Sequence, residues 1–164
     1  MNRLAYMVIA LSFTLGIIGG AVYFQKNVGD NKGNTNGNNY SSFESVVKVF
    51  KGKYCGCCEL YVGYLENKGF KVNVTVVEDI QLEHKKFGVA DEMSSCHISE
   101  IGGYVVVGHV PVEAIEKLLK ERPEIRGIAL PGMPSGSPGM PGEKLKPFVI
   151  YSLHDSGTDV FMKL

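Results

Sequence analysis

The sequence predicts an α/β sandwich with a mixed sheet, and three observations carry that expectation. Apolar spacing alternates between the strand period of two and the helix period of 3.6 along residues 43–164. A β-branched run leads directly into three clustered cysteines that open a helix. Two short β runs joined by a turn close the chain, and such a hairpin favours a sheet that is not purely parallel.

The elements follow in order. Val46-Val47-Lys48-Val49-Phe50 reads as a largely buried first strand, because β-branched residues suit a pleated surface. After Cys58, Leu60, Tyr61, Tyr64 and Leu65 recur at helical spacing, and Lys68-Gly69 supplies a basic last turn and a glycine stop. Phe70, Val72, Val74 and Val76 alternate with polar residues, the pattern of a strand with one buried face. Asp79 can cap a short helix through Phe87, and Gly103 to Val107 reads as a third strand. Pro111 opens a helix with Val112, Ile115, Leu118 and Leu119 on one stripe. Residues 131–142 are so dense in proline and glycine that they must be irregular, and a mobile loop is expected there. Phe148 to Leu153 and Thr158 to Lys163 flank His154-Asp155-Ser156-Gly157 as the closing hairpin.

Ahead of this domain lie two other segments. Leu4 to Phe24 carries no charge over 21 positions, which as a helix reaches about 31 Å and spans a bilayer. Arg3 precedes it and no small-x-small cleavage site follows, so residues 1–24 are expected to be a signal anchor rather than a removed signal peptide. Residues 25–42, rich in Asn and Gly, bury too little to order themselves and read as a flexible tether. Residues 43–164 would then form a domain held outside the cytoplasm, in the periplasm or at the cell surface, with the membrane as a partner through the N-terminal helix. The 17 basic and 17 acidic residues balance without a long run of either sign, which leaves no electrostatic footprint for nucleic acid.

A strand running into a cysteine loop that opens a helix is the arrangement of thioredoxin-like proteins, where the helix N-terminus favours a first-turn thiolate. On that architecture the loop entering the third strand passes beside this N-terminus, and Cys96 lies in that loop. Cys55, Cys57 and Cys58 cannot all pair with one another, because disulfide geometry leaves an odd thiol. Gly56 would let the backbone fold tightly around an ion. Soft thiolates select Cu(I), Zn(II) or iron–sulfur clusters, and sulfurs this crowded favour bridging several metals, which suits a multinuclear Cu(I) site on Cys55, Cys57, Cys58 and Cys96. Three other readings fit the spacing. They are two structural disulfides, for instance Cys55 or Cys57 with Cys96; a structural zinc; and a dithiol oxidoreductase acting on proteins through Cys55 and Cys58.

Further ligands come from softer or rarer donors. Met133 and Met140 in the proline-glycine loop could offer thioethers to Cu(I), although methionine is more often packing filler. His97 beside Cys96, and His109 before Pro111, could bind a metal or relay a proton, yet read first as hydrogen-bonded structural histidines. His84, in the charged run Glu83-His84-Lys85-Lys86, and His154, in a turn, are expected to be exposed.

Five separated motifs then fall in one order: Cys55-Gly56-Cys57-Cys58; Ser95-Cys96-His97; Gly102-Gly103-Tyr104; Gly108-His109-Val110-Pro111; and Pro131-Gly132-Met133-Pro134 with Gly136-Ser137-Pro138-Gly139-Met140. Together they resemble the CopG-type copper-resistance family of bacterial periplasmic proteins over about residues 45–164. The resemblance implies a thioredoxin-like fold, copper bridged by Cys55, Cys57, Cys58 and Cys96, and copper oxidation-state chemistry in detoxification, with an extracytoplasmic redox or copper-handling protein as partner. Met133 and Met140 match its Pro-Gly-Met loop. Two departures stand out: Lys53-Tyr54 where members commonly have Pro-Thr, and Ile98 where threonine is common. Neither removes a thiol.

Overall fold

The computed structural model describes residues 46–164. The anchor expected over residues 1–24 and the tether over 25–42 lie outside the described residues. Among the described residues no helix is long and apolar enough to cross a membrane.

Seven strands and three α-helices follow in the order β1 (Val46–Gly52), α1 (Gly56–Asn67), β2 (Lys71–Val77), α2 (Ile80–Lys86), β3 (His97–Ile101), β4 (Tyr104–Val107), α3 (Val112–Glu121), β5 (Gly127–Ala129), β6 (Val149–His154) and β7 (Gly157–Lys163). They form one sheet ordered β2-β1-β3-β4-β5-β6-β7. Pairs β1/β2 and β4/β5 are parallel and the other four antiparallel, so the expected mixed α/β architecture is present.

Alternation along each strand divides the apolar residues between two clusters. Val47 and Val49 of β1, Ile101 of β3, Tyr104 and Val106 of β4 and Ile128 of β5 pack with Tyr61 and Leu65 of α1 and Ile115, Leu118 and Leu119 of α3. Ile98, Val107, Ala129 and Leu153 pack with Val89, Phe50, Ile80 and Phe87 in the other. The stripe expected on α3 is buried throughout, and Asp79 caps α2 by accepting from the N–H groups of Gln81 and Leu82 at 2.8 and 3.4 Å. Gly69 ends α1 at φ +90, a conformation L side chains rarely adopt, and donates to the Glu66 carbonyl.

Several expectations need correction. β1 is fully buried on one face and only partly on the other: Val47 and Val49 face inward and Phe50 packs against the second cluster, while Val46 and Lys48 are exposed. β2 is an edge strand whose Val74 and Val76 stay exposed, because only Phe70 and Val72 near its start reach the core. Two strands, β3 and β5, were not anticipated. His97-Ile98-Ser99-Glu100-Ile101 holds too many polar residues to read as a buried strand, and Gly127-Ile128-Ala129 is too short to show a period. Cys96 accordingly sits at the mouth of β3, which turns through Gly102 and Gly103 into β4.

Leu118, fully buried between α3 and the sheet, tests this packing. Leu118→Ala is expected to cost about 2–5 kcal/mol, measured as a lower urea midpoint at unchanged slope; a near-neutral result would mean that α3 does not anchor this core.

Candidate metal centre

β1 and β3 run antiparallel with Lys51 opposite His97. The chain leaving β1 and the chain entering β3 therefore meet at one end of the sheet. Residues 53–54 turn from β1 into Cys55, whose N–H donates to the Gly52 carbonyl at 3.3 Å, and Cys55 is the N-cap of α1. Lys51 shares the inward face of Val47 and Val49 by strand alternation. Its ammonium is buried and pairs with Glu59 at 2.6 Å, tying the last turn of backbone before the cysteines to the first turn after them. No cap side chain occupies the N-terminus of α1, so its first-turn N–H groups face the cysteine cluster.

The four cysteine sulfurs lie within 4.8 Å of one another. Cys55 and Cys58 are joined as a disulfide with Cα atoms 5.3 Å apart, while Cys57 and Cys96 are free thiols. The alternative pairing of Cys55 or Cys57 with Cys96 is therefore not the one formed, because adjacent turns of α1 bring Cys58 back over Cys55. Cys57 Sγ lies 3.5 Å from Cys55 Sγ and 3.7 Å from Cys96 Sγ, and Cys58 Sγ lies 3.5 Å from the Cys96 carbonyl oxygen. Cys58 is buried and the other three are half-buried. Gly56 is not needed for a tight fold: a Cβ there would meet nothing within 4 Å, and its φ is not positive.

Behind Cys96 stand two buried imidazoles. His109 Nε2 is 3.2 Å and His97 Nδ1 is 3.4 Å from its sulfur, and Cys96, His97 and His109 form a second group whose donor atoms lie within 4.8 Å of each other. Tyr61 packs on both rings, with centroids 4.6 Å from His97 and 5.3 Å from His109, and donates its hydroxyl to the Val110 carbonyl at 2.8 Å. Gly108, at φ +76, permits this closure. A Cβ there would sit 2.6 Å from the Leu130 carbonyl oxygen and 2.8 Å from Ser95 Oγ.

The proline-glycine loop is irregular as expected but is pinned rather than free. His109 Nδ1 donates to the Pro138 carbonyl at 2.6 Å. A Cβ on Gly139 would lie 2.7 Å from the Tyr61 nitrogen and 3.1 Å from the Cys57 carbonyl, so the loop seats on the first turns of α1 through a residue without a side chain. Ser137 is buried and donates to the Pro134 carbonyl. Met140, next to Gly139, is half-buried, whereas Met133 is 39% exposed.

His84 is buried, against the expectation of exposure. Its Nε2 donates to the Ser95 carbonyl at 2.9 Å and so holds the segment that delivers Cys96. The signal was present: Ile80, His84 and Phe87 share one face of α2 at helical spacing. His154 is half-buried and 2.9 Å from Ser152 Oγ. Lys51, buried beyond the apolar run of β1, likewise continues the alternation of Val47 and Val49.

Burial sets the protonation states. It pushes the Cys96 thiol up to about 12, with the Cys57 sulfur adding to the shift and the Ser95 hydroxyl opposing it. It brings His97 down to about 3, helped by His109 and opposed by the Gly108 backbone. His109 and His84 are lowered by burial too, opposed by their carbonyl partners Pro138 and Ser95. In the metal-free site burial thus favours the neutral forms of the Cys96 thiol and of the His97 and His109 imidazoles. A soft cation reverses that balance by displacing thiol protons and supplying the positive charge that burial otherwise excludes.

Residues 93–140 match a family described as "Protein of unknown function, DUF411", a span containing Cys96, His97, His109, Met133 and Met140 but not the first three cysteines. No curated protein sequence matches the chain. A solved structure titled "Copper resistance protein copG- Form 2" is similar at 38% identity and a TM-score of 0.68, covering 73% of this chain and 98% of that chain. Another, titled "Copper resistance protein copG- Form 1", shares 39% identity with a TM-score of 0.67, over 73% of this chain and 96% of that one.

Two outcomes follow from the packing. His97 is favoured neutral in the fold, with its pKa depressed to about 3 from an unfolded value of about 6.5. Its contribution is therefore complete above about pH 6.5 and is lost progressively as pH falls toward 3. Urea midpoints of the metal-free protein are expected to drop across that window, and more steeply than in His97→Asn. Gly139→Ala is expected to cost about 1–3 kcal/mol by overpacking and to expose the loop to limited proteolysis; an unchanged protease pattern would show that the seat on α1 is dispensable.

Proposed function

The chain belongs to the CopG-type copper-resistance family, and from that premise we propose that it is an extracytoplasmic copper-binding protein that holds Cu(I) on Cys55, Cys57, Cys58 and Cys96. The observation that carries this reading is the meeting of four sulfurs within 4.8 Å from two segments 39 residues apart. So many soft donors in so small a space favour a monovalent, thiophilic ion shared through bridging sulfur over four separate bonds to one metal. The strand, cysteine turn and helix constitute a thioredoxin-like frame for it. Met140, carried to the first turns of α1 by Gly139, extends the donor set with a thioether, and Met133 is a further candidate on the same loop. Membrane attachment through residues 1–24, with the domain in the periplasm or at the cell surface, belongs to the same proposal.

The disulfide connects copper to electrons. Reducing Cys55–Cys58 consumes two electrons and two protons and restores four thiols. In the opposite direction, the dithiol can give one electron to each of two Cu(II) ions, leaving two Cu(I), two released protons and the disulfide. This balance supports interconversion of Cu(I) and Cu(II), with an external redox protein renewing the dithiol.

A thiol-disulfide oxidoreductase acting on proteins is the alternative. The disulfide at an uncapped helix N-terminus, with Cys58 buried and Cys55 half-buried, favours it. Insulin reduction separates the two: the copper reading expects no metal-free turnover, and activity dependent on Cys55 and Cys58 alone would replace it.

Anaerobic Cu(I) titration of the reduced protein against a colorimetric chelator tests the main proposal. Reduced protein is expected to bind more copper than the disulfide form, and Cys96→Ser to weaken binding by at least about tenfold. Copper-edge X-ray absorption is expected to give a sulfur shell with short copper–copper distances; absence of Cu(I) binding by folded, reduced protein overturns the proposal.

A further inference from the structure

We propose that two copies of this chain pair through the outer edge of β2, antiparallel and centred on Val74, so that their sheets join into one. The inference concerns an edge of the sheet and does not rest on copper binding.

β2 ends the sheet order, and among the described residues no strand pairs with its outer side. It keeps regular parallel register with β1 along its whole length, without a bulge or a proline. From Val72 to Val77, alternate N–H and C=O groups therefore face outward in an unbroken row, a template for another strand. The opposite edge is guarded. β7 has a register shift against Ile150 and Tyr151 and carries Asp159 and Lys163, features that discourage pairing.

The sequence of β2 is complementary to itself. About a two-fold axis at Val74, Val72 stands opposite Val76 and Asn73 opposite Thr75 of the second copy, with Val74 opposite its counterpart. Val72, Val74 and Val76 share the face of Val47 and Val49 by register, but only Val72 reaches the core, and Val74 and Val76 are left 42% and 56% exposed. Pairing closes these valines into one apolar row across the seam, while Asn73 and Thr75 form polar cross-strand pairs on the other face.

The charges fix the direction. Lys68 and Lys71 lie at the start of β2, and Glu78 and Asp79 lie just past its end. Antiparallel pairing brings the basic start of each copy beside the acidic end of the other, whereas parallel pairing would set like charges together. Val76, Val77 and Glu78 also border the groove that leads to Cys55 and Cys96. In the dimer, Phe70 and Lys71 of the second copy stand beside Glu78 and Val77, so each copy furnishes part of the other's rim. A strand pair of this length buries less than the roughly 1,000 Å² of a stable interface, so the association is reversible and concentration-dependent.

The test uses the full, metal-free chain in density-matched detergent, followed by sedimentation over about 1–100 μM. Wild-type protein is expected to pass from monomer to dimer. Val74→Lys and Val74→Glu, at a position that solvent reaches in the single copy, each set like charges face to face and are expected to weaken dimerisation by at least about tenfold. Mixed with one another under different affinity tags, the two variants are expected to co-purify and to regain wild-type dimerisation within about threefold, since opposite charges then meet at the axis. Hydrogen exchange of the wild-type protein reads the same edge without any variant, and the amides of residues 72–77 are expected to slow as concentration rises. Wild-type protein that stays monomeric, a dimer indifferent to both substitutions, as an interface within residues 1–45 would give, a mixture that does not recover, or exchange at residues 72–77 that ignores concentration overturns the proposal. Failure of Cu(I) binding in the reduced protein bears on the four-sulfur site and leaves these results unchanged.

Discussion

Antiparallel pairing of β1 with β3 sets Lys51 opposite His97 and brings two chain ends together that are far apart in sequence. The cysteine turn follows one of these ends directly, and Cys96 precedes the other by a single residue. A shift of one residue in this pairing would turn His97 to the opposite face and carry Cys96 away from Cys57. The inward residues on both strands, Val47 and Val49 against Ile101, are held under α1 and α3, so apolar burial enforces the register on which the sulfur site rests.

Around that junction, polar groups sit deeper than their types usually do. Lys51 is buried against Glu59, His84 carries the Ser95 carbonyl, and His109 is stretched between Cys96 and Pro138. Each interaction ties a different element to the site: β1 to α1, α2 to the mouth of β3, and the proline-glycine loop to Cys96. Removing a partner would leave a buried polar group unsatisfied, which costs more than the bond itself contributes. The same burial favours the neutral Cys96 thiol and neutral imidazoles, so cation binding and proton release are linked at this site.

Much of the fold was legible from periodicity. The stripe on α3, the Asp79 cap, the glycine stop of α1 and the closing hairpin all appear where apolar spacing and capping residues indicate. β3 was not, because its pattern is set by a polar site it helps to build, so His97 and Ser99 occupy inward positions where apolar residues are normally read. β2 carries a strand pattern without the burial it implies, since being at a sheet edge is a property of topology and not of the strand itself. His84 fits the periodicity of α2, but the charged residues Glu83, Lys85 and Lys86 around it mask its inward position, and Lys51 continues the alternation of β1 beyond its apolar run.

The sequence by itself determined the donor inventory: four soft thiols, their local spacing, and a strand-to-helix junction to present three of them. The family resemblance also rested on short motifs whose order survives in the linear chain. Only the tertiary structure decided which groups meet, because contacts across 39 residues depend on strand register and on a loop returning over α1. It paired Cys55 with Cys58, left Cys57 and Cys96 free, and turned His97 and His109 toward Cys96. Local propensity is written residue by residue, whereas these adjacencies come from burying two apolar clusters at once.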